Sequence, residues 1–229
     1  MKYTDVKTYL NAEFGEHIST ISTVSSSDNG NILVDSGKQV YSFDKIKDQL
    51  YTGQPQKPSS VDALYFIDDT LELVEFKSGF KKIITEANFD DQQAKCEYND
   101  HGITCKYLLE WSKIINKSQD EVLKRNLKLK AIESYLILDK KIFSECDAHP
   151  EKVSLKIVID CNGVDAIDEL AKTQGNLAGN GNESIIDRLK NMLKPYIKKQ
   201  TSDYFYSKID IMYDQSFKKY IDCLLYTSP

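Results

Sequence analysis

Val61-Asp62-Ala63-Leu64-Tyr65-Phe66-Ile67, Asp68-Asp69, Thr70-Leu71-Glu72-Leu73-Val74-Glu75-Phe76-Lys77 reads as a β-hairpin. Two runs rich in aliphatic and aromatic residues flank a short acidic turn. A two-residue loop at Asp68-Asp69 sets the register: Ile67 faces Thr70, Phe66 faces Leu71, and at the open end Asp62 faces Glu75. Directly opposed side chains in an antiparallel pair lie about 5 Å apart at Cβ. Lys77 stands two positions beyond Glu75 and so emerges on the same face. The rest of that face is Leu64, Phe66, Leu71 and Leu73. Two carboxylates and an ammonium therefore meet where an apolar surface ends, and unpaired charges are costly there.

Carboxylates held side by side repel each other, and a divalent cation relieves the repulsion. Hard oxygen ligands suit magnesium or manganese, and the backbone carbonyl of Phe76 offers a third oxygen. An ion so held lowers the pKa of a bound water and offsets charge on a phosphodiester under attack. Lys77 is placed to orient that water or to stabilise the developing negative charge. The competing reading is an ordinary ion-paired patch at a hairpin end, of the kind sheets commonly carry.

Asp62, a strand, a turn and Glu75-Phe76-Lys77 together resemble the PD-(D/E)XK nuclease superfamily, which includes restriction-type endonucleases, recombination exonucleases and junction resolvases. The resemblance is strongest over Lys57 to Gly79, with Val61 standing where the family motif has proline. It implies a restriction-endonuclease-like fold and a nuclease dependent on Mg2+ or Mn2+, with DNA ahead of RNA as substrate. In such proteins the first core helix often supplies a further acidic metal ligand. Glu13 is the candidate, inside an otherwise apolar helical arc, with Glu16 second; the alternative is a side chain reaching solvent from the arc's margin. Some branches place a glutamine or lysine near the scissile phosphate on the helix after the ExK strand, where Gln93 and Lys95 stand here; solvated helix polars are the plainer reading.

The chain has 229 residues, 41% hydrophobic and 28% charged, as in one sizeable globular domain. Its net charge of -5 and pI near 5.3 are not those of a strongly basic nucleic-acid binder, so any such contact is expected on one face. No apolar run is long enough to span a bilayer, and the first residues lack a secretory signal pattern. Five scattered cysteines favour free thiols and a cytoplasmic location. Cys223-Leu224-Leu225-Tyr226-Thr227-Ser228-Pro229 resembles a translated sequencing adapter, which leaves 1–222 as the expected domain and implies assembled environmental DNA; the alternative is an ordinary short tail. The nuclease resemblance implies a bacterial or phage source.

Around the hairpin, periodicity predicts a helix over Asp5–Ile21 capped by Thr4. Ile32–Val34 and Gln39–Phe43 read as a small hairpin. A helical stretch follows Gly79 through Tyr98, and Cys96, His101 and Cys105 lack a fourth ligand at zinc spacing. Tyr107–Ile115 reads as a helix, and the capping box Ser118-Gln119-Asp120-Glu121 starts another. The latter carries Lys124, Arg125, Lys128 and Lys130, the densest basic segment and the candidate for phosphate-backbone contact. Ala131–Leu138 and Val153–Ile159 read as strands, Val164–Lys172 and Glu183–Lys194 as helices, Gly175–Asn182 as a loop without P-loop residues, and Tyr204–Tyr213 as a last strand. This order suits an α/β (α+β) domain with a mixed central sheet flanked by helices. The expected function is a metal-dependent nuclease using Asp62, Glu75 and Lys77. The alternative is a non-catalytic nucleic-acid-binding or assembly protein on the same fold, related to phage or phage defence.

Overall fold

The computed structural model describes residues 2–27, 29–78, 106–160, 194–195, 197–198 and 205–224, with the backbone alone over 106–121. The fold is mixed α/β. Among the described residues, one sheet contains the six strands β2 (Ile18–Thr20), β3 (Gln39–Ser42), β4 (Ala63–Ile67), β5 (Thr70–Lys77), β7 (Lys152–Ile159) and β8 (Lys208–Tyr213) in that spatial order. β2 through β5 pair antiparallel, and β5, β7 and β8 run parallel. β1 (Tyr3–Asp5) and β6 (Cys146–Ala148) form a separate parallel pair.

The hairpin has the register that its two-residue loop dictates, with Ile67 opposite Thr70 and Ala63 opposite Val74. Asp68 takes a left-handed φ of 48° to close the turn, a conformation that aspartate tolerates. β7 is buried from Val153 to Ile159, as a strand covered on both faces must be. Leu64, Leu71, Leu73, Leu155, Ile157 and Ile159 face one core, and Ala63, Val74 and Val158 face the other. Helices α1 (Val6–Phe14), α3 (Phe43–Leu50) and α4 (Lys106–Ile137) cover the first face; α2 (Ile21–Val24) and α5 (Asp214–Cys223) cover the second.

Several elements differ from the sequence reading. The first helix ends at Phe14, and its cap is Asp5, whose Oδ1 accepts from the Thr8 N–H at 2.8 Å. Ile18–Thr20 leaves the helix because β3 offers a strand partner. β3 therefore does not pair with Ile32–Val34, and Val34 instead bonds its backbone to the Ser25 hydroxyl. Helix α4 runs unbroken through Ser118 and through Ala131–Ile137, where a strand was expected. No glycine or proline interrupts 106–137, and Leu123, Leu127, Ala131, Ser134 and Ile137 are buried at helical spacing. Five residues of π-helix, Leu138–Ile142, extend it. Val153–Ile159 and the C-terminal part of Tyr204–Tyr213 are strands as expected. Cys223 ends α5 and Leu224 packs on the second core. The predicted elements over 79–98, 164–172, 175–182 and 183–193, and the Cys96, His101, Cys105 set, lie outside the described residues. Among the described residues no helix is long and apolar enough to cross a membrane.

Candidate active site

Asp62 stands one residue before β4, where its backbone N–H still reaches the Val74 carbonyl at 3.0 Å. Glu75 and Lys77 lie on β5, on the face of Leu71 and Leu73. The Glu75 side chain is 2% exposed, Asp62 is 18% exposed and Lys77 31%, so the group opens to solvent at its Lys77 side. Lys77 Nζ is 3.6 Å from Glu75 Oε1. The three side chains named from the sequence therefore come together on one face.

The backbone adds to this edge. The Lys77 carbonyl accepts from Asp160 N–H at 3.3 Å, on the β7 side, whereas the Val74 carbonyl faces Asp62. Successive residues of a strand turn their N–H and C=O to alternate edges, so Phe76 shares the Val74 edge. Its N–H donates to Asp62 Oδ2 at 2.6 Å, and its carbonyl faces the same way. Its ring points to the other side of the sheet and meets Phe217 edge-on at 5.6 Å.

A fourth side chain completes the cluster. Lys130 of α4 places Nζ 2.8 Å from both Glu75 oxygens and 3.4 Å from Asp62 Oδ1. Helical periodicity puts it in the stripe of Leu123, Leu127 and Ala131. It is thus separated from Arg125, which is exposed on the far side, and from the half-buried Lys124 and Lys128. Of these four basic residues, Lys130 is the one in contact with Glu75 and Asp62. Glu133 and Ser134, one turn further on, accept from the Ser59 and Val61 N–H groups at 2.5 and 2.9 Å. This face of α4 thereby fixes the segment that carries Asp62. The strand reading of Ala131–Leu138 concealed the arrangement; polar residues at 130, 133 and 134, spaced for one helix face, were the available signal. Asp44 of α3 was also missed. It bonds the Ser60 hydroxyl and Lys47, and its charge is felt at Asp62.

Burial raises the Glu75 carboxyl, the Asp62 charge raises it further, and Lys130 only partly offsets them, leaving it at about 8. Asp62 is also raised by burial, against the opposing pull of Lys130 and the Phe76 N–H. Burial alone would lower Lys130, but Glu75 and Asp62 outweigh it and hold the ammonium protonated. Glu13 is elsewhere: exposed on α1, it accepts a hydrogen bond from the Tyr3 hydroxyl. Glu16 is exposed and lies 3.9 Å from His17. Gln93 and Lys95 lie outside the described residues. Among the described residues no three His, Cys, Asp or Glu side chains gather as a metal group; the oxygens at this edge are the two carboxylates and the Phe76 carbonyl.

Comparison with protein-family models, with curated proteins and with solved structures finds no match for the chain.

Proposed function

We propose that the chain is a metal-dependent nuclease of the PD-(D/E)XK kind, acting on DNA in preference to RNA. The observation that carries this reading is a pair of carboxylates, the buried Glu75 and the half-buried Asp62, gathered around one ammonium beside a solvent-reachable Lys77. Like charges so placed are unfavourable in a fold built for stability alone. Asp62, Glu75 and the Phe76 carbonyl would hold Mg2+ or Mn2+, and hard oxygens of this kind fit those ions. A bound ion would supply an acidified water and polarise a phosphodiester. The chain's own part is positional. The Phe76 N–H orients Asp62, the leucines below exclude water, and Lys77 holds a positive charge where the attacked phosphate gains negative charge.

The test is digestion of plasmid, single-stranded DNA and RNA with and without Mn2+, using wild type, Asp62→Ala and Lys77→Ala, with circular dichroism as a control on the fold. Cleavage is expected with Mn2+ and absent in both variants. Cleavage that survives both changes removes this site from the reaction.

One observation favours a second reading. Lys130 already balances the carboxylates, as it would in a non-catalytic binding or assembly protein that keeps the fold. Nucleic-acid binding indifferent to Mn2+, without cleavage, would establish that reading instead.

A further inference from the structure

The position between Asp62 and Glu75 is filled by the chain's own ammonium. Lys130 Nζ makes two contacts of 2.8 Å to Glu75 and one of 3.4 Å to Asp62. These are the oxygens that a divalent cation would need, and an ammonium and a metal ion cannot share them. Lys130 also has somewhere to go, since its side chain is 25% exposed and its stem is long and flexible.

We propose that Lys130 is a resident cation of the carboxylate pair, holding the site assembled without metal and swinging toward solvent when a divalent cation binds. The inference rests on the metal-site reading above and adds a regulation to it. In the metal-free protein, Lys130 ties α4 to β5 and to the residue preceding β4 across the acidic pair. On metal binding it leaves as a free ammonium beside the site, where it can pair with an anionic phosphate. Entry of metal and release of a phosphate-binding lysine are thus one exchange, and the metal's apparent affinity is lowered by the contacts it must replace.

The experiment measures Mn2+ binding to the full chain by calorimetry at pH 8, for wild type and Lys130→Met, which keeps the length and removes the charge. One hydrogen bond to a charged group corresponds to about tenfold in affinity, so Lys130→Met is expected to bind Mn2+ about tenfold tighter or more. A second measurement needs no variant. Lysine acylation of the wild-type chain is followed by mass spectrometry with and without Mn2+, with the exposed Lys140 as internal reference. Lys130 labelling is expected to rise severalfold on adding Mn2+ while Lys140 is unchanged. If Mn2+ binds both proteins equally, or Lys130 labelling does not change while Mn2+ is bound, the resident-cation role is overturned and the metal site stands. If neither protein binds Mn2+, both readings fall together.

Discussion

Strand β5 carries two buried glutamates three residues apart, one on each face of the sheet, and their surroundings are opposite in kind. Glu72 lies under α5 with Lys156 Nζ at 2.8 Å. That ammonium lies 3.8 Å from Asp210, and 4.7 Å from the centre of the Tyr220 ring; Asp210 pairs in turn with Lys208 at 2.7 Å. Signs alternate from strand to strand, because the register of β5, β7 and β8 places each charge near its complement. Glu75, on the other face, has a second carboxylate, Asp62, on the same ammonium, and that counter-ion comes from a helix 55 positions away in sequence. The first cluster is what a sheet does with buried charge when pairing is the whole task. The second keeps two acids in a conflict that the strands themselves do not resolve, and such conflicts concentrate at functional sites.

The largest expected contrast is in activity. Asp62→Asn lowers Mn2+-dependent cleavage by about a hundredfold or more, by analogy with loss of one preorganised electrostatic group. Glu72→Gln leaves cleavage intact. Equal losses in the two variants would erase the distinction between the faces.

Stability should separate them next. Lys156→Met strands Glu72 without its counter-ion and is expected to cost about 3–5 kcal/mol in urea unfolding, with most of that recovered in the Lys156→Met, Glu72→Gln double variant. A single variant no less stable than wild type would show that the Glu72 pairing is dispensable.

The pH response probes Glu75 itself. Glu75 holds its proton up to about 8 in the fold, against 4.5 ordinarily. Between those values the folded state binds more protons than the unfolded chain. The stabilisation is therefore fully present below pH 4.5 and is lost as pH rises toward 8, with a slope of at most about 1.4 kcal/mol per pH unit. Glu75→Gln should flatten that decline, as seen in urea midpoints at pH 5 and pH 8. An unchanged slope would mean that Glu75 is ionised throughout.

The smallest effect concerns the helix support. Ser134→Ala removes the acceptor of the Val61 N–H and is expected to cost about 1–3 kcal/mol in urea unfolding. A change below the precision of the measurement would show that α4 does not anchor the Asp62 segment through this bond.

The hairpin register was legible because everything that sets it is local: a two-residue turn, alternation of period two, and β-rich composition on both arms. The aliphatic run of β7 was legible for a similar reason. Ala131–Leu138 was not, because a short apolar run suits a buried strand and a buried helix face equally well. Here the helix prevails because the register of Leu123, Leu127, Ala131 and Ser134 continues it. Ile18–Thr20 failed in the opposite direction, since its helical spacing gave way to a partner strand that only folding supplies.

The sequence by itself determined that Glu75 and Lys77 share one face of a hairpin strand and that Asp62 enters at the same end, since alternation along the strand sets the first and the two-residue loop sets the second. Only the tertiary structure decided that Lys130 stands between the carboxylates, that Glu13 does not join them, and that Lys130 parts company with Lys124, Arg125 and Lys128. Those placements depend on how α1 and α4 pack against the sheet, and packing is set by the burial of whole helix faces rather than by any residue's neighbours in the chain.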